Sequence, residues 1–68
     1  IFTGIAFDVC VYTTLIDAFH RDFNPVIAVD ATGSPFPYKE ASMWHIETLW
    51  GRVLTAAEII TELQALAL

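Results

Sequence analysis

Gly4-Ile5-Ala6-Phe7-Asp8-Val9-Cys10-Val11-Tyr12-Thr13-Thr14-Leu15-Ile16-Asp17-Ala18 reads as a strand running straight into a helix, with a cysteine at the join. Ile1 to Ala6 is a short apolar run ending in a small residue, the pattern of a buried strand. Phe7-Asp8-Val9 is a tight connection. From Val9 to about Phe23, Val11, Leu15, Phe19 and Phe23 recur every four positions and define one face of a helix. Asp17 and Arg21 lie four apart on another face, in a stabilising order. Asn24-Pro25 ends the helix, because a residue before proline disfavours helical geometry.

Outward from that unit the pattern repeats. Val26 to Val29 is β-branched and continuous, as in a parallel sheet buried on both faces. Asp30 to Pro37 is a Gly- and Pro-containing loop. Pro37 opens a second helix reaching about Trp50, and Gly51 suits the position just past it. Val53-Leu54 is a short third strand. Thr55-Ala56-Ala57-Glu58 fits a capping box, and the last helix is expected to pack through Ile59, Ile60, Leu63 and Leu66. The order is βαβαβα, which implies an α/β fold with an open parallel sheet. Right-handed crossovers place helices on one face if successive strands step the same way. The other face is then expected to be bare, so more chain or a partner should cover it. Residues 1–68 are accordingly read as less than the whole functional unit. There are no internal repeats, low-complexity segments or linkers.

Composition narrows the function classes. The 68 residues are 56% hydrophobic and 16% charged, too apolar for disorder. A chain of this size makes a marginal core on its own. Three basic residues against eight acidic ones give a net charge of −5. That argues against nucleic acid and against attraction to an anionic membrane. No apolar run approaches the ~18 residues of a membrane span, and no secretory signal is present. The single, unpaired cysteine and the absence of targeting segments favour the cytoplasm. No cluster has zinc-ligand spacing, and no metal or other cofactor is expected. There is no Gly-x-Gly-x-x-Gly, no P-loop lysine and no Cys-x-x-Cys, which weakens nucleotide-binding and redox readings.

Cys10 falls in the first turn of a helix that follows a parallel strand. Unpaired N–H groups there stabilise an anion, and the thiolate is the nucleophilic form of cysteine. Open α/β sheets also place their sites at the carboxyl ends of strands. By position alone, a small buried hydrophobe remains the competing reading.

The surrounding residues add to this. Gly4-Ile5-Ala6-Phe7-Asp8-Val9-Cys10-Val11, Thr14 and Asp17-Ala18 resemble the nucleophile segment of isochorismatase-like cysteine hydrolases. Val29-Asp30-Ala31-Thr32 resembles that superfamily's next strand and loop. His45-Ile46-Glu47-Thr48-Leu49-Trp50-Gly51-Arg52-Val53, with Thr55 and Glu58, resembles its C-terminal region. Details in the Ser34–Pro37 loop and the Ile46–Val53 segment are most similar to the ureidoacrylate and biuret amidohydrolase branches.

The resemblance implies hydrolysis of a C–N bond in a small amide or ureido substrate. Cys10 would attack the carbonyl, form a thioester and be freed by water. The backbone N–H groups of Ala6 and Cys10 would hold the oxyanion. A non-proline cis peptide would fall between Ile5 and Ala6. The superfamily's general base, an Asp, and its assisting Lys lie upstream of the nucleophile, as do the metal-binding Asp and His of its nicotinamidase branch. No residue here matches them, so an upstream segment or a second chain is expected to complete the domain, and this chain alone is expected to be inactive. Phe7 stands where a small hydroxyl residue is common. Phe7 and Tyr12 flank the nucleophile as candidate substrate contacts, with packing the competing reading. The resemblance also implies that residues 1–68 are the C-terminal portion of a single α/β, doubly wound, Rossmann-like three-layer domain, and that the complete protein is a homo-oligomer. Two other functions stay open: hydrolysis of a vinyl ether, as in isochorismatase itself, and a non-catalytic fragment acting in assembly.

The remaining polar residues have plainer readings. His20 is expected in solvent and His45 packed and hydrogen-bonded. Asp8 should order the turn before the helix and Asp30 the loop that follows it. Glu58 and Glu62 form a solvated face. Met43, Trp44, Leu49 and Trp50 are expected to form a subunit contact.

Overall fold

The computed structural model describes residues 1–66. Strand β1 (Phe2–Ile5) leads through Ala6 into a π-helical turn (Phe7–Val11) continuous with α1 (Tyr12–His20). Strand β2 (Val26–Gly33), α2 (Lys39–His45) and a second π-helical turn (Ile46–Trp50) follow. Strand β3 (Arg52–Leu54) and α3 (Ala56–Leu66) complete the order. The three strands are parallel and lie side by side as β1-β2-β3. The α/β class and the βαβαβα order are those the sequence implies.

Two layers of helix enclose the sheet. Phe7, Val11, Leu15, Ile27 and Ile46 form the buried core, with Phe2, Tyr12, Val29, Met43, Trp50 and Val53 packed against it. Each fully buried side chain of this size contributes about 1.5–3 kcal/mol. Strand residues alternate between faces, so Ile27 and Val53 point to this layer while Val26, Ala28 and Leu54 point to the other. Ala28 and Ile59 are buried there, and Ile59 and Leu63 of α3 share a groove with Val26 and Leu54. The second face is therefore not bare, as the one-sided arrangement of helices had implied: α3 crosses back over β2 and β3. The β1 side stays open, where Thr3 and Ile5 are exposed.

Several boundaries differ from the sequence pattern for local reasons. Helix α1 ends at His20, before Phe23. Asp22 adopts a left-handed φ of 68°, its N–H bonds to Phe19 O at 3.1 Å, and Phe23 N–H bonds to Ala18 O at 3.2 Å. That is a Schellman cap, and it turns Phe23 outward, 66% exposed. Strand β2 runs to Gly33, past the expected start of a loop at Asp30, because its far end pairs with β1 through Gly4↔Thr32 and Ile5↔Gly33. The register shifts between Phe2 and Gly4, and Gly4 has a φ of +105°. Of the four apolar residues expected to pack α3, only Ile59 is buried; Ile60, Leu63 and Leu66 are exposed. Gly51 does follow the second helical unit, but in extended geometry. Its N–H bonds to Ile46 O at 2.8 Å.

Candidate functional site

The Cys10 turn is built on one carbonyl. Ala6 O accepts from Val9 N–H and from Val11 N–H, both at 3.1 Å. The second bond spans five residues and makes the turn wider than an α-helix, a form often found at functional sites. Phe7 and Val11 anchor the turn in the core, while Cys10 is exposed. Behind it, Thr14 Oγ1 donates to Cys10 O at 2.7 Å and Thr13 Oγ1 donates to the same oxygen at 3.2 Å. Thr13 Oγ1 also reaches Val9 O at 2.9 Å. The cysteine is thus an open thiol on a pinned backbone, at the carboxyl end of a parallel strand. The peptide bond between Ile5 and Ala6 is cis, at the position expected.

The other candidate residues divide. Phe7 is 0% exposed, so in this chain its ring is core and offers no surface to a substrate. Its bulk is accommodated because it points inward beneath the turn. The Lys39 ammonium stands 5.3 Å from the centroid of that ring, a cation–π distance. Tyr12 is part-exposed and its hydroxyl lies 3.2 Å from His45 Nδ1, which joins α1 to α2. His45 is hydrogen-bonded as expected but exposed, with the Trp44 ring beside it at 5.4 Å. His20 bonds to Ile16 O at 3.1 Å and lies 5.5 Å from the ring of Trp50, so it belongs to an aromatic group with Phe19.

Asp8 and Asp30 both reach further than the sequence suggests. Asp8 Oδ1 accepts from Ser34 Oγ and Asp8 Oδ2 from Tyr38 N–H at 3.2 Å, so it ties the loop after β2 to the nucleophile turn. Asp30 Oδ1 accepts from Ala56 N–H at 2.8 Å and caps α3, not the loop beside it. Ser34 was legible only as a loop residue, since its partner lies 26 positions away. Trp50 and Met43 pack on the core, while Trp44 and Leu49 remain exposed. The expected contact face is therefore split.

A hollow of about 460 Å³ lies among Phe19, Pro25, Val26, Leu49, Trp50 and Arg52. It sits at the amino ends of β2 and β3, away from the Cys10 turn. We assign it no part in the chemistry, because sites of open parallel sheets form at the carboxyl ends. Among the described residues, no three of His, Cys, Asp and Glu come together to hold a metal ion. Nor is any described helix long and apolar enough to cross a membrane.

Fold and site together define an open α/β protein with an accessible cysteine at the carboxyl edge of its sheet. The family model for the isochorismatase domain matches residues 1–58, and the chain belongs to that family. It is 40% identical over 63 residues to a ureidoacrylate amidohydrolase RutB of Pseudomonas syringae, covering 90% of this chain and 26% of that protein. The RutB of Methylobacterium radiotolerans is 42% identical over 59 residues, with 84% and 23% covered. That of Stutzerimonas stutzeri is 44% identical over 55 residues, with 78% and 22% covered. The chain spans about a quarter of the length of these relatives. No solved structure matches it.

Proposed function

We propose that this chain carries the nucleophile of a cysteine amidohydrolase acting on a small amide or ureido compound. The observation that carries the reading is the exposed Cys10 on its widened turn, in a chain similar to ureidoacrylate amidohydrolases. The Cys10 thiolate attacks the carbonyl carbon, and the oxygen takes up the electron pair. The N–H groups of Ala6 and Cys10 hold that oxyanion, since donors fixed beforehand stabilise charge as it forms. Collapse breaks the C–N bond, the amine leaves with a proton, and a thioester remains. Water then attacks the thioester, releasing the acid and the thiolate. The general base and the lysine come from an upstream segment or a second chain completing the domain. The complete protein works in the cytoplasm as a homo-oligomer.

The test uses the complete protein, with native mass spectrometry to establish which polypeptides it contains. Ammonia release from ureidoacrylate and simple ureides is then measured alongside iodoacetamide labelling. We expect Cys10→Ala to lower kcat by roughly 10⁴-fold or more, in line with other nucleophile deletions. Ammonia release that survives Cys10→Ala sinks the thioester route, whereas a protein that releases no ammonia from any ureide brings forward vinyl-ether hydrolysis, which does not always use a thiol.

A further inference from the structure

We infer that Asp8 is a positioning residue that fixes the Ser34–Tyr38 loop as a wall of the Cys10 site, so that Phe36 and Tyr38 contact the non-reacting part of the substrate. The inference rests on the amidohydrolase reading above.

Asp8 lies two residues before Cys10, inside the same widened turn. Its two carboxylate oxygens are spent on one loop. Ser34 Oγ donates to Oδ1 at 2.5 Å and Tyr38 N–H donates to Oδ2 at 3.2 Å. Ser34 Oγ in turn accepts from Phe36 N–H at 3.0 Å. Three groups of a five-residue loop are thus gathered, directly or through one hydroxyl, on a single carboxylate. Pro35 and Pro37 fix φ on either side of Phe36, which lowers the entropy lost in holding the loop still. The loop starts at the carboxyl end of β2, where Gly33 pairs with Ile5 next to the Ala6–Cys10 turn.

The loop's two aromatic side chains are open to solvent. Phe36 is 49% and Tyr38 63% exposed, unlike the buried Phe7 and Val11 of the nucleophile turn. A rigid loop with open rings, anchored to the nucleophile turn, suits a flat conjugated acyl group, which stacks on aromatic faces. Asp8 touches no reacting atom in this scheme. Its carboxylate is occupied by Ser34 and Tyr38, so it holds the wall and leaves proton transfer to other groups.

The test compares Asp8→Ala, Asp8→Asn and Ser34→Ala in the complete protein. It reads KM, kcat, the iodoacetamide reaction of Cys10 and hydrogen exchange of the Phe36 and Tyr38 amides. Asp8→Ala should raise KM about tenfold, the factor that loss of a charge-assisted hydrogen bond represents. The kcat and the Cys10 alkylation rate should stay within about threefold, well inside that factor. Exchange at both amides should accelerate. Asp8→Asn keeps one acceptor oxygen and the fold, and should fall between the two. Ser34→Ala should raise KM too, with little added effect on an Asp8→Ala background, because both belong to one unit. A fall in kcat and alkylation at unchanged KM overturns the inference by placing Asp8 on the nucleophile. Unchanged amide exchange overturns it by removing the clamp. If the unaltered protein turns over no amide or ureide while the amides still respond to Asp8→Ala, the hydrolase reading has failed. The positioning role then falls with it, although the clamp itself stands.

Discussion

At Gly51 the backbone leaves no room for a side chain. A Cβ there would stand 2.5 Å from Pro25 O, which is also the acceptor for Arg52 N–H at 3.1 Å. The φ of −179° is one any residue adopts, so the requirement is room and not backbone freedom. Neither neighbour can yield without breaking the start of the β2–β3 ladder, where Val26 pairs with Arg52. We expect Gly51→Ala to cost about 1–3 kcal/mol, the usual range for overpacking, read as a lower urea midpoint. An unchanged midpoint would show that the strand ends can part freely. Asp22 is the opposite case. Its φ of 68° is a conformation glycine takes more easily, yet the Schellman bonds are made.

Among the elements, α3 is the one whose start depends most on side chains. Thr55 N–H donates to Glu58 Oε1 at 2.8 Å and Glu58 N–H donates to Thr55 Oγ1 at 3.2 Å, the capping box visible in the sequence. Asp30 adds a third bond, to Ala56 N–H, that no local pattern could announce. Thr55→Ala should cost about 1 kcal/mol, measured by thermal unfolding. The backbone N–H of Thr55, and then its hydroxyl, hold the Glu58 carboxyl below its ordinary value of 4.5. A carboxyl depressed in the folded state adds stability that is complete above its unfolded value and lost as pH falls through the folded one. Helix content should therefore fall on acidification below 4.5, and Glu58→Gln should flatten that part of the profile. A Glu58→Gln chain with the same acid profile would refute the linkage.

Across the whole molecule, what could be read from the sequence was what short spacings encode. The strand–helix join at Cys10, the helix face of Val11 and Leu15, and the Thr55–Glu58 cap all depend on neighbours within a turn or two. The return of α3 over β2, the Asp8–Ser34 tie and the burial of Phe7 depend on contacts between distant segments, which periodicity does not report. The open side of β1 is such a case. It is the edge strand beside β2, and Ile5 is 78% exposed. An uncovered apolar strand edge invites pairing with another strand, and a lysine on it opposes that pairing. The 68-residue chain by itself should associate at micromolar concentration in sedimentation velocity, and Ile5→Lys should shift it toward monomer. In the complete protein the same substitution should act with the opposite consequence. If an upstream segment packs on β1, Ile5→Lys buries a charge there and lowers the melting temperature. A monomeric but otherwise unaffected short chain, together with a complete protein indifferent to Ile5→Lys, would mean that β1 is left open in both.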